Sequence, residues 1–236
     1  MRTATDAPTQ TAPARHIAFI ADGNRRWAAA RRASTESGFR NGALAVRQVL
    51  DHCRELELEA ASIFLMSERN FQRDRAEVDV LEAVIADLLR EVADESTGPV
   101  RVLRTQLLHG QVADELLSAL DYAEASTAAR PGMAVCLGIG YDGHNEIRHA
   151  ARRAATSSDY DPAVELPIER YLATAGLPDP DLIVRTSGER RLSGFLLWQA
   201  TDSTLHFDDR WWPDYSRAAL DEALAVHAEQ RRTFGR

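Results

Sequence analysis

The sequence predicts an α/β fold built on a mostly parallel β-sheet flanked by helices, and three observations lead there. Short apolar runs of strand length alternate with stretches whose apolar residues recur at helical spacing. Polar clusters rich in arginine follow directly after several of those runs, where an open parallel sheet collects its ligands. With 236 residues and 44% hydrophobic content, the chain is long enough for one domain that buries most of the surface its unfolded form exposes.

Residues 1–14 carry Thr, Ala, Pro and Gln without apolar periodicity and read as a flexible leader to a single domain spanning 15–236. Residues 16–21 form an apolar run, Asp22 and Gly23 a tight turn, and the Ala-rich stretch 24–32 the start of a helix. Val46, Val49, Leu50 and Cys53 keep helical spacing, and residues 60–66 read as a buried strand ending in the polar segment 67–74. Val78, Leu81, Ile85, Leu88 and Val92 fall on one face of a long helix, a stripe that packs a core or lines an apolar groove. Further strands are predicted at 100–103, 133–139, 182–185 and 195–198, and further helices at 114–125, 145–155 and 168–173.

A formal net charge of −8 argues against a general nucleic-acid binder, which needs clustered Lys and Arg facing phosphates, so any basic site is local. Cys53 and Cys136 lie in apolar periodic segments and read as buried free thiols, which fits a cytoplasmic protein. No apolar run approaches the length of a membrane span.

Three polar clusters carry chemistry. Asp22, Gly23, Asn24, Arg25, Arg26 and Trp27 place a carboxylate, a flexible glycine and two guanidinium groups at a helix start. The set suits a diphosphate, with Asp22 holding Mg²⁺, an ion that protein carboxylates commonly share with substrate phosphates and water. The same residues also fit an Asp helix cap with solvated arginines. Ser67 to Arg73, followed by Glu77, is by itself an ordinary polar loop entering a helix. The stretch from Arg185 to Ser193 packs three arginines and three hydroxyls around Gly188, as either a diphosphate cradle or a solvated basic loop.

Taken together, these residues resemble a known family. Residues 16–27 (HIAFIADGNRRW) are similar to the opening signature of the cis-prenyltransferases, the undecaprenyl diphosphate synthase family, and residues 185–199 (RTSGERRLSGFLLWQ) to their C-terminal signature. Trp212, Pro213 and Asp214 fit as well. The resemblance implies a magnesium-dependent homodimer that joins isoprenoid diphosphates. Each subunit would have a six-stranded mostly parallel sheet and a hydrophobic tunnel, to which the stripe from Val78 to Val92 would contribute. It implies that Asp22 binds Mg²⁺, that Gly23, Asn24, Arg25 and Arg26 bind the allylic diphosphate, and that Arg185, Arg191 and Ser193 hold the second diphosphate. Asn70 and Arg73 would position the reacting ends, and Trp27, Phe71 and Glu77 match motif positions.

The sequence also departs from the family pattern. Thr35 stands where an arginine is usual, Phe39 where a histidine is usual, Glu68 and Arg69 where a Ser-Glu pair is usual, and Thr204 where a glutamate supplies a metal ligand across from Asp22. Strand alternation would put Asp202 and His206 on the face of Thr204, as substitutes for that ligand. These departures favour irregular, lavandulyl-type coupling over regular head-to-tail extension with isopentenyl diphosphate. A non-catalytic supporting subunit is the remaining alternative, and retention of Asp22 and the arginines speaks against it.

Overall fold

A computed structural model describes residues 13–104, 112–158, 161 and 165–230. Residues 1–12 of the expected leader lie outside the described residues, while Ala14, also assigned to the leader, packs against the core. The strands are β1 (His16–Ile20), β2 (Ala60–Ser67), β3 (Val100–Leu103), β4 (Ala134–Tyr141), β5 (Leu182–Arg185) and β6 (Thr204–Phe207). They form one six-stranded sheet in the order β3-β4-β2-β1-β5-β6, in which every pairing is parallel. Around it lie α1 (Asn24–Ala30), α2 (Thr35–Glu55), α3 (Arg75–Glu95), α4 (Asp114–Thr127), α5 (Gly143–Ala155) and α6 (Arg217–Glu229).

Parallel strands covered on both faces should be apolar without alternation, and every residue of β1 and β4 is buried. The period of two still sorts the side chains. Ile17 and Phe19 join the main cluster with Val46, Leu50, Leu81, Ile85, Leu88 and Val92, whereas Ala18 and Ile20 join Phe64, Tyr141 and Phe195 in the smaller one. All five residues of the expected stripe on α3 are buried. Side-chain caps start α2, α3 and α5: Ser34 accepts from the Ser37 amide, Asp74 from Ala76 and Asp142 from Asn145.

Two expected elements differ. Residues 195–198 are not a strand but a buried turn, with Leu196 at φ 46°. The Phe195 ring stacks on Phe64 at 4.7 Å and meets Tyr141 edge-on at 5.8 Å, so the apolar run closes the second face of the sheet instead of joining it. The sixth strand is β6, which follows this turn. Of the helix expected at 168–173, only a short 3-10 turn, Ile168–Tyr171, forms.

Cys53 and Cys136 are buried free thiols, and burial pushes their pKa values up to about 12 and about 11. Among the described residues no helix is long and apolar enough to cross a membrane.

His16 is a polar group inside the sheet. It is fully buried, with Nδ1 2.7 Å from the Pro178 carbonyl and Nε2 2.8 Å from Ser62 Oγ. Burial pulls its pKa below the ordinary value, only partly offset by the Pro178 carbonyl and Asp181. The unfolded chain therefore takes up the proton first, and stability is lost as pH falls through about 6.5, the unfolded pKa. The melting temperature of His16→Gln should fall less between pH 7 and pH 5 than that of the wild type. Equal slopes in thermal scans would show that His16 is not the titrating group.

Candidate active site

Three strand ends meet at the point where the chain connections diverge, β2 on one side of β1 and β5 on the other. There a cavity of about 700 Å³ opens. It is lined by Asp22, Gly23, Asn24, Arg25 and Arg26 after β1, by Ser67, Asn70 and Arg73 after β2, and by Arg185, Glu189, Arg191 and Ser193 from β5 and its loop. Five arginines thus face two carboxylates, beside a hydrocarbon wall that includes Ile20, Phe39, Phe64, Met66 and Leu81.

Asp22 is held by its backbone. Its amide donates to Thr186 Oγ1 at 3.0 Å, and its carbonyl accepts from the Thr186 hydroxyl at 2.7 Å and from the Trp212 amide at 2.9 Å. Gly23 then turns at φ 108°, and a Cβ there would come within 2.8 Å of the Trp211 ring, so no other residue fits this corner. The Asp22 carboxylate is shared: Oδ2 accepts from Arg185 Nη2 at 2.9 Å and Oδ1 from Arg26 Nη2 at 3.2 Å. Glu189 continues the pattern, contacting Arg26 Nη1 at 3.7 Å and accepting from Arg191 Nη1. The arginines of both expected diphosphate sites are therefore linked through two carboxylates.

Asn70 is oriented by donation from the Ser67 amide to its Oδ1 at 2.9 Å. Arg73 is half-buried next to Arg25, and both burial and that second guanidinium lower its pKa, Glu77 opposing them. A cation held in this way gains most from an incoming anion.

Three expected site residues lie outside the cavity lining. Glu77 holds two of the lining arginines, accepting from Arg73 at 3.0 Å and from Arg25 at 3.4 Å. Trp27 donates Nε1 to Asp214 at 2.7 Å, with Arg31 4.3 Å above its ring, and so ties α1 to the segment after β6. Phe71 packs against the main cluster.

The departures separate once placed. Phe39 is buried and lines the cavity. Thr35 is exposed at the start of α2, outside the lining, and Glu68 turns away to accept from Asn145 Nδ2 at 2.6 Å, with Arg69 exposed. Thr204 pairs with Leu182, which pairs with Ile17, so it sits at the opposite end of the strands from Asp22, buried against His227 at 2.9 Å. Within one chain, then, Thr204 does not stand across from Asp22. Asp202 is exposed in the turn before β6 and His206 lies beside Asp208, both outside the cavity lining of their own chain. Residues that sequence reasoning passed over are Thr186, whose adjacency to Arg185 was the available signal, and Glu189, which lay inside the third cluster unassigned.

The family model described as putative undecaprenyl diphosphate synthase matches residues 20–235. The chain belongs to the undecaprenyl diphosphate synthase family of prenyltransferases. It is 37% identical over 230 residues to an isoprenyl transferase of Chromobacterium violaceum, covering 97% of this chain and 91% of that one. It is 36% identical over 233 residues to a (2Z,6E)-farnesyl diphosphate synthase of Mycobacterium tuberculosis, covering 94% and 88%. Among solved structures it resembles the lavandulyl diphosphate synthase of Lavandula x intermedia in complex with dimethylallyl diphosphate. That likeness has a TM-score of 0.84 at 29% identity and covers 94% of this chain and 98% of the other. As a cis-prenyltransferase family member this chain is a prenyl diphosphate synthase, and the parallel sheet expected of the family is the one observed.

Proposed function

We propose that this prenyl diphosphate synthase condenses an allylic diphosphate, dimethylallyl or geranyl, with a second isoprenoid diphosphate by irregular, lavandulyl-type coupling. The observation that carries the reading is the cavity itself: five arginines beside Asp22 and Glu189, next to a hydrocarbon wall in which Phe39 replaces the usual histidine. Donor surplus of that kind matches two diphosphates, and its volume suits two short tails.

In this reading Arg26, Asn24 and the Gly23 turn take the allylic diphosphate, while Arg185, Arg191 and Ser193 take the other. The allylic C–O bond breaks and its electron pair leaves with the diphosphate, where the arginines stabilise the charge that develops. The double bond of the second allylic molecule then supplies its pair through C2 to the freed C1, leaving a tertiary cation on C3. Among the described residues the lining offers no imidazole, and both its carboxylates are engaged by arginines, so in this reading a methyl proton passes to the departed diphosphate. Phe39, in the lining, carries no lone pair with which to compete for that proton.

The oxygen donors fit a hard divalent cation, and Asp22, with Glu189 beside it, would hold Mg²⁺ together with diphosphate oxygens. When bound, the ion would neutralise charge on the leaving diphosphate. A homodimer is part of the same proposal, with β6 a sheet edge that leaves Leu205 42% exposed.

Purified protein given dimethylallyl diphosphate, alone or with geranyl diphosphate and no isopentenyl diphosphate, should release diphosphate and a branched product. Linear cis products formed only when isopentenyl diphosphate is added would favour the second reading, regular head-to-tail synthesis, which the relative named farnesyl diphosphate synthase supports. No diphosphate release with any pair would leave only a supporting subunit.

A further inference from the structure

We infer that Phe39 is the wall that ends product growth in this protein, restricting it to products of a few isoprene units. The inference rests on the reading of the chain as a prenyl diphosphate synthase and holds for either mode of coupling. Behind the charged cavity lies a second, apolar one between α2, α3 and β2, lined by Val46, Leu65, Val84, Ile85 and Leu88 among others. Its volume is about 30 Å³. That is room for roughly two or three water molecules, and it is too little for the five carbons of an isoprene unit. The two cavities share Ala21, Asn24, Phe39, Leu65 and Leu81 in their walls, and Phe39 is the largest side chain of that partition.

The helix carrying Phe39 cannot retreat. Gly38 and Gly42 flank it on α2 and press against the first residue of α1: a Cβ at Gly38 would lie 2.4 Å from the Asn24 carbonyl oxygen, and one at Gly42 would lie 2.3 Å from Asn24 Oδ1. Two glycines four residues apart thus bring α2 into backbone contact with the turn that carries Asp22 and Gly23. Trp212 fastens the same stretch, donating Nε1 to the Gly42 carbonyl at 2.9 Å from a buried position. Phe39, only 6% exposed, is fixed between these anchors, with Leu81 of α3 completing the partition. A short tail finds hydrocarbon in the charged cavity itself, against Ile20, Phe64 and Met66. A longer one must enter the space beyond Phe39, and while that side chain stands in place the space is too small to take it.

Phe39→Ala should join the two cavities. The test compares wild type and variant in two measurements: chain length of the dephosphorylated products by mass spectrometry, and calorimetric binding of farnesyl and dimethylallyl diphosphate. Products of the variant should extend by at least one isoprene unit. Its affinity for farnesyl diphosphate should rise about tenfold relative to that for dimethylallyl diphosphate, because newly accessible apolar surface is buried by the longer tail alone. An unchanged product distribution together with an unchanged affinity ratio overturns the inference. If Phe39→Ala does not fold by circular dichroism, Phe39→Leu and Leu81→Ala carry the same two readouts, and a null result in both has the same force. A wild type that binds these diphosphates but couples none of them counts against the enzyme reading, while the affinity ratio still decides the role of Phe39.

Discussion

Asp22→Asn should leave a folded protein whose turnover falls by about a hundredfold or more, on the scale seen when one preorganised electrostatic contact to a developing charge is removed. The amide keeps the shape of the carboxylate and still offers an oxygen to Arg185, now 2.9 Å away, so the buried guanidinium retains its partner. It cannot supply the charge that a divalent cation or the two flanking arginines require. Asp22→Ala removes the Arg185 contact as well, and its stability should fall further than that of Asp22→Asn while its turnover is no higher. Circular dichroism with steady-state kinetics separates the two effects. If Asp22→Asn kept more than about a tenth of wild-type turnover, the lost stabilisation would be under about 1.4 kcal/mol, and Asp22 would be only a brace for Arg185.

How far such a site can be read from sequence depends on what fixes each residue. The signatures after β1, β2 and β5 were legible because parallel strands end on one edge and because these three are neighbours in the sheet, so clusters separated by more than a hundred residues converge. Strand ends place backbone, however, and do not aim side chains. Glu77 and Trp27 stand within those signatures and yet turn away, one to brace Arg25 and Arg73 and the other to Asp214. The stretch 195–198 read as a strand because a buried turn and a buried strand are equally apolar. Only the positive φ of Leu196 and the stacking of Phe195 on Phe64 separate them. The true sixth strand, with a buried Thr204 and an exposed Leu205, carried no such apolar run. Thr204 is a related case: its spacing from Trp198 and Trp212 was legible, but which end of the strand it occupies within its own chain follows from register with Leu182, a tertiary fact. Phe39 was visible as a departure, whereas its position between two cavities depends on Gly38 and Gly42 meeting Asn24.

Arg185→Ala should damage fold and function together, in contrast to Arg191→Ala. Arg185 is 4% exposed at the end of β5. It donates Nη1 to the Arg191 carbonyl and to Ser193 Oγ, both at 2.6 Å, and Nη2 to Asp22. One guanidinium thus fastens the loop after β5 to itself and to the end of β1. Removing a partner from a buried ion pair costs about 3–5 kcal/mol, and the Asp22 side chain, 31% exposed, recovers part of that through water, leaving about 2–3 kcal/mol. Arg185→Lys should fare little better, since a single ammonium cannot fork toward acceptors on two segments. The Arg191 side chain is 61% exposed, and its substitution should change stability by about 0.5 kcal/mol or less while raising the KM for the second diphosphate. Urea denaturation and kinetics on the two variants test the contrast. An Arg185→Ala protein as stable as the wild type would mean that the loop from Thr186 to Ser193 is held by its backbone turns alone. In that case Arg185 would be a ligand contact and no part of the frame that presents Asp22.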